Sequence, residues 1–263
     1  MSSKNNLVTD DKDMIFQDLL CHKNKSLIYM VYQPQYDFNS GELVGVEALL
    51  RYKSNKFGLI SPTKIVEIFE EKGAISEIDL YVVNRVFEDL SSMHIDEFKN
   101  FKVSINLSGK SLKNPKFINK ILYLIVKEKI ETKNIEFELL ETEYLSVEDI
   151  LLISENVNRL KEKGISVAID DFGTGSSNLN LLNFTSIDKI KIDKSFLEDT
   201  EKSKKILESI FYLADALSLT TIVEGVELQS QEIFLRNFSC DIVQGFLYSK
   251  PLSLGEIQKM LDS

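Results

Sequence analysis

The run Leu27-Ile28-Tyr29-Met30-Val31-Tyr32-Gln33 is followed by Pro34-Gln35-Tyr36-Asp37-Phe38-Asn39-Ser40-Gly41 and then by Glu42-Leu43-Val44-Gly45-Val46-Glu47-Ala48. The outer two segments are β-like, and the residues between them are too few for a crossover helix. Asn39-Ser40-Gly41 is turn chemistry, so the two strands are expected to pair antiparallel. Further along the chain the rhythm changes. Strand-like runs near 101–107, 134–140, 165–170, 187–192, 220–224 and 241–244 alternate with longer segments of helical period. That alternation predicts parallel strands joined by helices. With the opening pair near 27–33 and 42–48, the expected fold is α/β: a modified (β/α)₈ TIM-like barrel whose first strand runs antiparallel to the rest.

The helices are punctuated. Ser146 precedes Val147-Glu148-Asp149 in a capping-box pattern, Ile150, Ile153, Val157 and Leu160 share one face, and Gly164 closes the segment. Ile206, Ile210, Leu213 and Leu217 repeat the stripe later. Residues 1–26 read as an N-terminal helical extension, with Met14, Ile15 and Leu19 on a weakly apolar face, and residues 27–263 read as the barrel domain. A length of 263 residues suits one such barrel, and a hydrophobic fraction of 43% is enough for its core.

Composition excludes several chemistries. Lys and Arg number 31 against 41 Asp and Glu, a net charge of −10, which argues against DNA or RNA as a partner. With two histidines, His22 and His94, sites built on several imidazoles are impossible, and Cys21 and Cys240 make neither a zinc cluster nor a disulfide framework. No apolar run approaches the ~18 residues of a membrane span, and the first residues lack the core of a secretion signal. A cytoplasmic location is expected.

The functional signal lies in what ends each apolar run. Glu47, Asn106, Glu138, the pair Asp170-Asp171, Lys191, Glu224 and Gln244 each follow one. In a parallel barrel these positions converge on the C-terminal rim, where chemistry is placed. Five carboxylates in one mouth, with Lys191 alone to offset them, resist ionising together. They are expected to be largely protonated or neutralised by bound cations, and an all-oxygen set suits Mg²⁺ or Mn²⁺. Adjacent aspartates let one carboxylate bridge two ions while the next binds one of them. Two ions close together suit phosphoryl hydrolysis.

These residues also resemble a family. Tyr32-Gln33-Pro34 and Glu47-Ala48-Leu49-Leu50-Arg51 open a series that continues through Ile105-Asn106-Leu107-Ser108, Glu138-Leu139-Leu140-Glu141 and Asp170-Asp171-Phe172-Gly173-Thr174-Gly175. Lys191-Ile192-Asp193, Glu224-Gly225-Val226-Glu227 and Gln244-Gly245-Phe246 complete it. The series is similar to the EAL family of bacterial cyclic-di-GMP phosphodiesterases, from about residue 27 to the C-terminus. The resemblance implies metal ligation by Glu47, Asn106, Glu138, Asp170, Asp171 and Glu224. It implies catalytic work by Glu224, Lys191 and Asp171, and substrate contacts by Gln33, Arg51 and Gln244. Glu141 would anchor the glycine-rich loop after Asp171, a loop that the family ties to a homodimer. The implied activity is hydrolysis of cyclic di-GMP to linear pGpG with two Mg²⁺ or Mn²⁺ ions. Gln35, Leu140, Ser176 and Ser186 depart from residues common in the family.

Two rival readings have distinct signatures. A catalytically inactive cyclic-di-GMP receptor would bind without turnover. A glycosidase using Glu138 and Glu224 would need no metal. The lack of Trp for sugar stacking, the Asp170-Asp171 pair and Lys191 amid acids speak against the glycosidase.

Overall fold

The computed structural model describes residues 9–20, 28–93, 101–140, 146–174 and 179–262. Helix α1 (Thr9–Leu20) precedes the strands β1 (Ile28–Asp37), β2 (Leu43–Ser54) and β3 (Gly58–Ile60), then the helices α2 (Pro62–Glu71) and α3 (Ile75–Leu90). The βα repeat follows: β4 (Lys102–Leu107), α4 (Gly109–Leu112), α5 (Pro115–Glu128), β5 (Ile135–Leu140), α6 (Val147–Lys161), β6 (Ser166–Phe172) and α7 (Leu179–Phe184). It ends with β7 (Lys189–Ile192), α8 (Glu201–Ala216), β8 (Thr220–Val223), α9 (Gln229–Leu235), β9 (Ile242–Val243) and α10 (Leu254–Leu261).

Strand order β1-β9-β8-β7-β6-β5-β4-β2, with β2 returning to β1, closes an eight-stranded barrel. β1 is antiparallel to both neighbours, and every other pair around the ring is parallel. The short connection read from the sequence is a tight turn. Asp37 Oδ1 accepts hydrogen bonds from the backbone N–H groups of Asn39 and Ser40, and Gly41 takes φ +74°. Both opening strands run longer than the sequence indicates. β3, which sequence reading did not find, extends β2 as a hairpin with Tyr52 opposite Ile60. Three residues are too few to show a period-2 pattern, and β3 owes its form to pairing rather than to its own composition.

Strand alternation sorts the chemistry. Val103, Ile105 and Leu107, Ile135, Phe137 and Leu139, and Ile190 and Ile192 are buried against the surrounding helices. The other parity faces the barrel interior and is polar: Glu47, Ser104, Glu136, Glu138, Asp170 and Lys191 are all buried. Toward the N-terminal ends of the strands, Glu136 accepts from Ser104 Oγ at 3.0 Å and pairs with Lys189 at 2.9 Å.

The helix read at Ser146 is present with its reciprocal cap, and Ile150, Ile153, Val157 and Leu160 are buried. The later stripe is rotated from expectation. Leu207, Ile210, Phe211 and Ala214 are the buried face of α8, whereas Leu217 lies past its end and is exposed. Helix α1 occupies part of the expected N-terminal extension. Its Ile15 and Leu19 build a second core with Tyr52, Ile65 and Phe69, and Tyr52 Oη donates to Asp18 at 3.0 Å. Among the described residues no helix is long and apolar enough to cross a membrane.

Candidate active site

The strand ends meet. Lys191, fully buried on β7, places Nζ 2.6 Å from Glu138 Oε2, 2.6 Å from Glu224 Oε1, 3.1 Å from Asp170 Oδ1 and 3.5 Å from Glu47 Oε2. An ammonium has three protons to donate and here faces four carboxylates. Burial alone would pull its pKa down, but Asp170, Glu138, Glu224 and Glu47 outweigh burial and hold it well above the ordinary lysine value. The carboxylates respond in the opposite sense. Burial pushes Glu138 well above the usual glutamate range, and Glu47, Asp170 and Glu224 add to the push while Lys191 opposes it. Burial likewise raises Asp170. Glu224 is driven by burial up to about 8, with Asp170 and Glu47 contributing, and Asp171 by burial and by Asp170 up to about 6.

Glu47 is held from two sides. Asn106 Nδ2 donates to Oε1 at 2.7 Å and Gln244 Nε2 to Oε2 at 2.6 Å. Gln244, expected as a substrate contact, is 4% exposed and both ends of its amide are engaged, for Gln35 Nε2 donates to its Oε1 at 2.9 Å. Gln33 lies across from Glu47 in the β1–β2 register and is buried. Arg51 is half-buried four residues beyond Glu47 on the same face of β2, opposite Tyr29, and its guanidinium donates to the Leu50 carbonyl at 2.9 Å. Glu141 and residues 175–178 of the glycine-rich loop, including Ser176, lie outside the described residues.

Adjacent strand residues ordinarily point to opposite faces, so a further device is needed to put Asp170 and Asp171 in one mouth. Asp171 has φ +54°, and the β6–β7 register is irregular between Ile169 and Phe172. A left-handed residue at a bulge turns the second carboxylate back toward the first. Aspartate tolerates that conformation better than most side chains.

Two triads result. Glu47, Glu138 and Asp170 each offer an oxygen within 4.8 Å of the others, and so do Asp170, Asp171 and Glu224. The triads share Asp170. Glu138 Oε1 is buried without a hydrogen-bond partner among the described residues. An orphaned carboxyl oxygen within an all-oxygen donor set is what a hard divalent ion would satisfy. A cavity of about 750 Å³ adjoins the cluster, lined by Leu49, Asn106, Ser108, Lys113, Leu140 and Asp171 among others. That size suits a small-molecule ligand.

Sequence reading missed Asp79, a buried acid on the inner face of α3. It accepts from Ser108 N at 3.1 Å, Ser108 Oγ at 2.8 Å and Ser111 Oγ at 2.6 Å, and so fixes the turn that follows Asn106. Its one signal was an acid interrupting the apolar stripe Ile75, Ile78 and Val82.

The EAL domain family pattern matches residues 15–251. The chain belongs to the EAL domain family. Curated relatives of this EAL domain include the cyclic di-GMP phosphodiesterase NbdA of Pseudomonas aeruginosa, 31% identical over 234 residues, a match covering 88% of this chain and 30% of that protein. The oxygen sensor protein DosP of Escherichia coli is 32% identical over 237 residues, covering 89% and 29%. The EAL domain here thus spans about three-tenths of the length of these relatives. Among solved structures, the EAL enzyme Bd1971 in its cAMP- and cyclic-di-GMP-bound form matches with a TM-score of 0.84 at 30% identity, over 95% of this chain and 68% of that one. The PaMucR phosphodiesterase in complex with c-di-GMP also gives 0.84, at 26% identity over 93% and 99%.

The raised carboxylates give this EAL domain a signed pH dependence. An acid whose folded pKa exceeds its unfolded value, about 3.9 for aspartate and about 4.3 for glutamate, binds extra protons when folded between the two, so stability falls as pH rises through that interval. For Asp171 and Glu224 the interval ends at about 6 and about 8. EDTA-treated protein should therefore show a thermal midpoint that drops between pH 5 and pH 8.5, and Glu224→Gln should flatten the drop. A midpoint rising over that range would contradict the burial of these acids.

Proposed function

We propose that this EAL domain hydrolyses cyclic di-GMP to linear pGpG, using two Mg²⁺ or Mn²⁺ ions held by Glu47, Asn106, Glu138, Asp170, Asp171 and Glu224. The observation that carries the reading is the pair of acid triads sharing Asp170 around Lys191. The names of NbdA and PaMucR, each a phosphodiesterase, support the substrate class. Divalent ions bound there would supply Lewis acidity, lowering the pKa of a water and neutralising charge on phosphoryl oxygens.

The protein's own side chains divide the remaining work. Asp171 and Glu224 orient the attacking water and take its proton. Lys191 Nζ, 2.6 Å from Glu224, fixes that carboxylate and contributes positive charge where the phosphoryl group gains negative charge. Water oxygen bonds to phosphorus, the bond from phosphorus to the ribose 3′ oxygen breaks, and that oxygen takes up a proton. Arg51 and Gln33 meet the substrate at the rim, where a guanidinium suits a phosphate. Gln244 stands behind Glu47.

The test is direct. Purified protein, cyclic di-GMP and Mn²⁺ should yield pGpG by chromatography, and EDTA should stop it. Nucleotide bound tightly by Mn²⁺-loaded protein without product would replace this reading with the receptor.

A further inference from the structure

Gln35 belongs to none of the roles above, yet it is 1% exposed inside the barrel wall and bonded toward the site. Gln244 meets Glu47 with the Nε2 end of its amide, which donates to Oε2 at 2.6 Å. Gln244 Oε1 then points away from Glu47, and Gln35 Nε2 donates to it at 2.9 Å. The donors form a one-way chain from Gln35 through Gln244 to Glu47.

The opening strands accommodate this amide. The β1–β2 register shifts between Gln35 and Tyr36, and the residue opposite Gln35 is Gly45. A Cβ on Gly45 would lie 3.1 Å from Gln35 Oε1 and 2.7 Å from the Lys102 carbonyl oxygen. Glycine there leaves room for the glutamine, and the bulge is placed to set its direction. A buried amide is costly unless bonded, and these features hold Gln35 where its donor meets one acceptor.

We infer that Gln35 is a positioning residue: it locks the Gln244 amide in the orientation that donates to Glu47, and thereby sets the divalent-ion affinity of the triad containing Glu47. The inference rests on the reading of Glu47 as a ligand. Without a donor at position 35, buried Gln244 Oε1 loses its partner, and the flipped amide, with Oε1 against the Glu47 carboxylate, competes with the native one. That flip repels Glu47 from its place.

Mn²⁺ binding by electron paramagnetic resonance tests the inference on wild type, Gln35→Met, Gln244→Met, the double variant and Gln35→Glu, with thermal midpoints in EDTA reporting folding. Gln35→Met keeps the side-chain length and removes the donor, and Mn²⁺ should bind roughly tenfold or more weakly, as supporting hydrogen bonds to ligands generally require. The double variant should be no weaker than Gln244→Met, because both act through one hydrogen bond to Glu47. Gln35→Glu, which only accepts when ionised, should favour the flip and bind more weakly still; it also serves if Gln35→Met does not fold. Wild-type affinity in Gln35→Met, or losses that multiply in the double variant, would overturn the inference. A wild-type protein that takes up no Mn²⁺ removes both the inference and the proposed function. One that binds Mn²⁺ but leaves cyclic di-GMP intact removes the function alone.

Discussion

Lys191→Met should destabilise the metal-free protein by about 3–5 kcal/mol at neutral pH, the usual cost of stranding buried charge. The lysine is fully buried and faces Glu138, Glu224, Asp170 and Glu47, so methionine fills the space and leaves four acids without their cation. The acids can escape by taking up protons, for burial already pushes Glu138 well above the usual glutamate range and Glu224 up to about 8. The loss should therefore be smaller at pH 5 than at pH 8. Mn²⁺ should restore part of it by replacing the missing charge. Urea unfolding at both pH values, with and without Mn²⁺, reads the effect. A variant as stable as wild type in EDTA at pH 8 would mean that the carboxylates do not depend on Lys191.

Asp170→Asn should act with the opposite sign on stability and a far larger effect on turnover. Asp170 belongs to both triads, so its amide weakens both at once. Hydrolysis of cyclic di-GMP should fall by at least roughly 100-fold, since even hydrogen bonds that support ligands are worth 10–100-fold. Meanwhile the metal-free protein loses one of its crowded like charges, and its thermal midpoint should rise. Comparing kcat with the EDTA midpoint separates a ligand from a structural acid. Asp170→Asn protein that hydrolyses at the wild-type rate would remove Asp170 from the metal-binding set.

The contrast between these variants also shows what could be read in advance. Apolar runs ending in Glu47, Asn106, Glu138, Asp170, Lys191 and Glu224 were legible because each strand writes its own alternation locally, and the reversed β1 was legible because its turn is short. Three features were not. β3 is made by pairing alone. The left-handed Asp171 is imposed by the β6–β7 bulge, and nothing in Asp170-Asp171 signals it. Gln35 looked like a departure from a familiar motif, and its partner Gln244 lies 209 residues away. Chain proximity carries no trace of that contact.

The closure of the barrel has a kinetic consequence. β9 contributes two residues, and β1 meets it at Tyr36 opposite Val243 and Asp37 opposite Ile242. The barrel must therefore be synthesised as far as β9 before the ring can shut, and contacts at such separation form late and slowly. Glu47 near the start of the ring and Gln244 at its end become neighbours only at that moment. A polypeptide that stops before β9 can carry every acid named above and still lack the closed ring, so the proposed hydrolysis would report completed folding rather than the presence of the residues.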